Sequence, residues 1–198
     1  MRRLVLATSN RGKLAELQPL LGDAGFGLVT QGELGISDAI EDGRSFLENA
    51  ILKARHASAA TGLPALGDDS GLVVDALGGA PGLYSARYAG EHGDSAANIR
   101  KLLAEMQGLD GAARRAHFYC VLVLLRHADD PQPLVAEGVW FGSVLDTPRG
   151  TGGFGYDPVF ADPAHGGLSA AELDPALKNR ISHRGLALAR LRERLAEL

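Results

Sequence analysis

The sequence predicts an α/β fold with a mixed central sheet and flanking helices. Three observations carry that expectation: short apolar runs of strand length, stretches with leucines and alanines at helical spacing, and the interleaving of the two along the chain. The 198 residues include 45% hydrophobic and 22% charged residues, ordinary usage for one globular domain spanning residues 1–198.

Residues 4–7 form an apolar run that ends in Thr8, Ser9, Asn10, Arg11, Gly12 and Lys13, after which Leu14, Leu17 and Leu21 recur at helical spacing. The opening unit therefore reads strand, polar loop, helix. Leu28 and Val29 suggest a second short strand, and residues 31–44 a loop holding Glu41 and Asp42. Ser45 with Glu48 makes a capping box, so a helix starts there, with Ala50, Ala54 and Ala57 on one face and Gly62 and Pro64 closing it.

Residues 63–66 and 72–74 read as two strands hinged at the polar corner Gly67, Asp68, Asp69, Ser70, Gly71. Residues 95–106 suggest a helix, and residues 117–126 and 134–144 two strands. A glycine-dense piece spans residues 150–157. Ser169 with Glu172 repeats the capping-box pattern, and a last helix starts near Gly185, with Leu188, Leu191, Leu195 and Leu198 on one stripe.

Composition excludes several classes. With 20 Lys and Arg against 24 Asp and Glu, the net charge of -4 argues against a dedicated nucleic-acid binder. The longest apolar run, residues 118–125, falls far short of the ~20 residues a membrane helix needs, and no signal peptide opens the chain. Cys120, the single cysteine, lies in that run and reads as a buried hydrophobe, which fits a cytoplasmic setting. There is no P-loop, zincin or serine-hydrolase signature. Gly150, Gly152 and Gly155 satisfy the dinucleotide pattern, but a turn and a strand follow them where a helix is required.

The remaining polar residues suggest polyphosphate chemistry. Arginine outnumbers lysine 16 to 4, so Lys13, Lys53 and Lys178 stand out as sites suited to a compact ammonium. Residues 8–13, between a strand end and a helix start, offer a hydroxyl, an amide, backbone N–H groups and two cations to a phosphate, although Asn10 reads equally as a helix cap. Glu41, Asp68 and Asp69 come from two polar loops. Adjacent carboxylates repel unless they share a cation, and Mg2+, which favours one or two carboxylates with phosphate oxygens and waters, answers that need. Asp69 also suits the role of proton acceptor for water, while the same run reads otherwise as a plain turn. Phe154 beside Gly155, Tyr156 and Asp157 offers either a stacking platform for a base or a core aromatic. Ser182, His183 and Arg184 supply hydrogen-bond donors at a helix start.

Read in order, the motifs Thr8-x-Asn10-x-x-Lys13, Glu41 ahead of Ser45-Phe46-x-Glu48-Asn49-Ala50-x-x-Lys53-Ala54, Asp68-Asp69-Ser70-Gly71-Leu72, Gly79-Ala80-Pro81-Gly82-x-Tyr84-Ser85-Ala86-Arg87, Gly152-Gly153-Phe154-Gly155-Tyr156-Asp157-Pro158 and Ser182-His183-Arg184-Gly185 resemble those of the inosine/xanthosine triphosphate pyrophosphatase family. The resemblance covers nearly the whole chain. It implies hydrolysis of deaminated purine nucleoside triphosphates (ITP, dITP, XTP) to the monophosphate and pyrophosphate, in an elongated two-lobed domain with the nucleotide in a cleft between lobes, as a homodimer. It further implies that Thr8, Ser9, Asn10, Arg11, Gly12, Lys13 and Lys53 hold the triphosphate, and that Glu41 and Asp69 serve Mg2+. Asp69 would act as the base, Ser70 would contact substrate, and Phe154, Gly155, Tyr156, Asp157, Lys178, His183 and Arg184 would surround the purine. The family usually has alanine where this chain has Gly67, with an expected effect on the backbone only. The alternatives are a Maf-like nucleotide pyrophosphatase, whose motifs differ, and a non-catalytic nucleotide-binding protein, whose hallmark would be a lost acid.

Overall fold

A computed structural model describes residues 2–22 and 25–195. Its seven-stranded sheet has the order β2-β1-β3-β4-β5-β6-β7. The strands are β1 (Arg2–Ala7), β2 (Phe26–Thr30), β3 (Ala65–Val74), β4 (Arg115–Leu125), β5 (Leu134–Val144), β6 (Phe160–Asp162) and β7 (Leu168–Ser169). The helices are α1 (Arg11–Gly22), α2 (Phe46–Thr61), α3 (Ser95–Glu105), α4 (Pro175–Ile181) and α5 (His183–Leu195). β1 pairs in parallel with β2 and β3, whereas β6 is antiparallel to β5 and β7, so the sheet is mixed as expected. No helix among the described residues is long and apolar enough to cross a membrane.

The chain divides into two compact units. The first comprises Met1–Asp69, Cys120–Gly138 and Leu186–Leu198. Its strand pattern has period two, which sends alternate side chains to opposite sheet faces. Leu4, Leu6, Leu66 and Leu122 pack with Leu17 and Leu21 of α1 and Leu188 and Leu191 of α5, while Val5, Ala7 and Ala65 pack with Ala57 of α2. Helices therefore cover both faces. The capping box is present: the Ser45 hydroxyl accepts from Glu48 N–H, the Glu48 carboxylate accepts from Arg44 N–H, and α2 stops at Gly62 with φ 68°.

The second unit comprises Ser70–Tyr119 and Val139–Gly185. Its core gathers Leu72, Val74, Leu102, Met106, Phe118, Trp140 and Phe160. α3 is capped by Asp94, whose side chain accepts from Ala97 N–H, and α4 by Asp174, with Pro175 at its first position.

Two sequence expectations need correction. Residues 65–74 form one unbroken strand, not two strands about a corner. Glycine, aspartate and serine are poor strand formers, but here pairing beside β1 and burial of every residue from Ala65 to Asp69 override local preference. Ser169 and Glu172 do not open a helix: Ser169 lies in β7, its N–H donates to the Glu172 carboxylate, and its hydroxyl donates to Arg149 O. The helix that follows is capped instead by Asp174. α4, which carries Lys178, was not legible in advance, and Leu198 of the last helical stripe lies outside the described residues.

Candidate active site

Strand geometry decides the fate of the two adjacent aspartates. Successive residues of β3 point to opposite faces of the sheet. Asp68 follows Leu66 toward the α1 side, where Lys13 Nζ lies 2.5 Å from its Oδ1 and the Cys120 thiol donates to its Oδ2 at 3.6 Å. Asp69 follows Gly67 toward the α2 side, where Lys53 Nζ lies 2.7 Å from its Oδ1. The two carboxylates thus do not share one cation; each has its own lysine.

Lys53 is also 3.2 Å from Glu41 Oε2, so the acids expected to serve a metal do converge, on an ammonium. Asp69 is 6% exposed, and its Oδ2 is buried with no hydrogen-bond partner. Burial lifts the Asp69 carboxyl above the usual carboxylate range, although the neighbouring Lys53 and Lys13 pull it down. Burial depresses Lys53 in turn, but Asp69 and Glu41 more than offset this and hold its ammonium above the ordinary lysine value.

Gly67 explains how α2 comes close enough. A Cβ there would stand 2.1 Å from the Ala50 carbonyl oxygen and 3.0 Å from Ala54 N, both backbone atoms of α2. The glycine therefore sets the helix-to-strand distance one turn from Lys53, a backbone effect that reaches α2.

Side-chain hydrogen bonds hold the loop before α1. Asn10 caps the helix, its Oδ1 accepting from Lys13 N–H, and the Thr8 hydroxyl accepts from Asn10 N–H. Ser9 donates to Asp38 Oδ1 at 2.7 Å, and buried Gln31 donates through Nε2 to both Ser9 Oγ and Asp38. Arg11 is exposed, and Gly12 lies in the first turn of α1. Sequence reading missed Gln31 and Asp38; neither lies in a recognisable motif, and only the fold of residues 31–38 brings them to Ser9.

In the second unit, Lys178 Nζ lies 2.7 Å from Asp157 Oδ2, which also accepts from Phe154 N–H at 2.7 Å. The half-buried Phe154 ring has Lys178 Nζ 5.2 Å and Arg184 Cζ 5.8 Å from its centroid. Arg184, only 1% exposed, donates to Ser70 Oγ at 2.9 Å. His183 is buried at the start of α5 and stacks on Phe118. Tyr156 turns into the core, its hydroxyl donating to Ser85 O at 2.9 Å, and Gly155 supplies a positive φ of 60° in the loop. Phe154, Asp157, Lys178, Arg184 and Ser70 thus lie together, whereas the Tyr156 side chain is a packing element.

The model of the Ham1 family matches residues 4–194. The chain belongs to the Ham1 family. Among members of that family with curated names, a dITP/XTP pyrophosphatase from Xanthomonas campestris is 62% identical over 198 residues, covering 100% of this chain and 99% of its own. One from Vibrio cholerae is 53% identical over 197 residues, covering 100% and 98%. A Ham1 protein structure from Coxiella burnetii superposes with a TM-score of 0.91 at 49% identity and covers 100% of both chains. The Ham1 protein of Staphylococcus aureus gives 0.86 at 37% identity, with 99% of each chain covered.

Proposed function

We propose that this Ham1-family chain hydrolyses deaminated purine nucleoside triphosphates, ITP, dITP and XTP, between the α and β phosphates, releasing the nucleoside monophosphate and pyrophosphate. The observation that carries the reading is the Asp69 carboxylate: a buried acid with one oxygen on Lys53, the other without a partner, and a second acid, Glu41, on the same ammonium. The names of relatives 53–62% identical over the full chain support the substrate class.

Lys13 and Lys53 bind the polyphosphate, aided by the positive end of the α1 dipole behind Thr8, Ser9, Asn10, Arg11 and Gly12. Asp69 Oδ2 takes the proton of the attacking water as the water oxygen bonds to the α phosphorus and the pyrophosphate oxygen leaves. Its burial favours this, since a carboxylate raised above its usual range is a better base near neutral pH. Glu41 and Asp69 fit Mg2+: both offer hard oxygens, and Glu41 Oε2 and Asp69 Oδ1 already face one cation, the Lys53 ammonium. No three His, Cys, Asp or Glu side chains converge among the described residues, so the protein would supply two ligands and phosphate oxygens and water the others. When bound, the ion would neutralise charge on the transferring phosphoryl group.

The purine falls to the second set: Phe154 as a stacking face, with Lys178, held by Asp157, Arg184, held by Ser70, and His183 as donors. A 6-keto oxygen accepts from such donors, and a 6-amino group does not, which leaves adenine mismatched. A homodimer and a cytoplasmic location belong to the same reading. The deciding experiment incubates purified protein with ITP, dITP, XTP, GTP or ATP and Mg2+. Pyrophosphate and monophosphate in equal amounts, fastest from the deaminated purines, are expected; orthophosphate release, or no turnover, would overturn the proposal.

A further inference from the structure

The aromatic group behind His183 has no part in the roles assigned so far. Phe118 of β4 is 7% exposed, and its ring lies nearly parallel to the His183 imidazole, 4.7 Å between centroids and 11° between planes. Phe118 is itself braced by Phe160 at 4.6 Å and 54° and by Trp140 at 6.2 Å and 25°. Trp140 is anchored in turn, packing on Phe160 at 5.0 Å and donating through Nε1 to buried Asp162 at 2.9 Å. The imidazole rests on a rigid surface.

We propose that Phe118 is a positioning residue for purine selectivity: its ring fixes the plane of His183, and through it the discrimination between 6-keto and 6-amino purines. The inference rests on reading His183 as base-facing. Histidine's second side-chain torsion has a broad preference, so the backbone leaves the ring plane weakly determined. His183 is the first residue of α5, directly after the Ser182 cap of α4, and is buried. A hydrogen bond weakens steeply once its donor angle falls below about 120°, so an N–H free to swing out of plane distinguishes an acceptor from a donor poorly. Face-to-face contact with Phe118 removes that rotation. Asp157 and Ser70 orient Lys178 and Arg184 through hydrogen bonds; Phe118 adds a constraint on the His183 ring through its face.

The test compares kcat/KM for ITP and for ATP in the wild-type protein, Phe118→Leu, Phe118→Tyr and His183→Ala. Phe118→Leu is expected to lower the ITP-to-ATP ratio about fivefold to tenfold, the size of one misaligned hydrogen bond, and Phe118→Tyr, which keeps the ring face, to stay near wild type. Loss of packing alone would slow both substrates equally and leave the ratio unchanged, which would overturn the inference. If the wild type shows no preference for ITP, the functional reading itself fails. If His183→Ala narrows the preference and Phe118→Leu does not, the reading stands and the inference falls. Proton NMR of the wild type gives an answer that does not depend on the leucine variant folding: ring-current upfield shifts of the His183 ring protons and cross-peaks to Phe118 are expected, and their absence refutes the stack.

Discussion

Replacing Lys53 by methionine keeps most of the aliphatic stem and removes the ammonium held 2.7 Å from Asp69 and 3.2 Å from Glu41. The Lys53 and Asp69 side chains are only 10% and 9% exposed, so little solvent would replace the lost partner. Removing one partner of a buried pair costs about 3–5 kcal/mol because a charge is left uncompensated. The Glu41 side chain is 30% exposed and its interaction is partly screened, so the low end, about 3 kcal/mol, is the better expectation. Urea denaturation at pH 7 in EDTA measures it. Adding Mg2+ should then restore stability, by about 1.4 kcal/mol at ten times its dissociation constant, because a divalent cation can take the place of the ammonium between the two acids. A loss below about 1 kcal/mol would show that the pair contributes little, and a variant indifferent to Mg2+ would refute the idea that Glu41 and Asp69 can share a cation.

Gly67→Ala forces the Cβ away from the Ala50 carbonyl oxygen 2.1 Å distant, so α2 must retreat by roughly 1 Å at a cost of about 1–3 kcal/mol; a urea midpoint equal to wild type would show that the contact yields freely. Asp69→Asn removes the base with little change in volume, so turnover should fall at least about a hundredfold while calorimetry still detects nucleotide binding; near-normal turnover refutes the assigned role. Asp130 is buried, and the Arg126 side chain, helped by the Arg126 and Gln132 N–H groups, holds its carboxyl well below the usual carboxylate range. A depressed folded-state value means that its stabilisation is complete above the unfolded value of about 3.9 and fades as pH falls below it. The stability gap between wild type and Asp130→Asn should therefore be wide at pH 7 and narrower at pH 3, and equal gaps would contradict the linkage.

Local signals were legible where the chain decides structure on its own. The Ser45–Glu48 capping box, the Gly62 stop and the apolar runs of β1, β4 and β5 need only neighbours in sequence, and each element lies within a few residues of its expected position. Expectation failed where tertiary context overrides propensity. The run Gly67, Asp68, Asp69, Ser70 has the composition of a turn, yet it lies in β3 because pairing and lysines from two helices compensate its poor strand preference. Ser169 and Glu172 have the spacing of a helix cap and make its backbone bond within a β-turn region instead.

Residue chemistry alone pointed to an anionic ligand met by lysines and carboxylates and offered no nucleophilic-triad motif, because that expectation depends on which side chains are present and in what order. Tertiary structure alone decided which lysine each aspartate meets. Two adjacent acids are equivalent in a sequence, but a strand turns them to opposite faces, giving Asp68 to Lys13 and leaving Asp69 with Lys53, Glu41 and one unsatisfied oxygen.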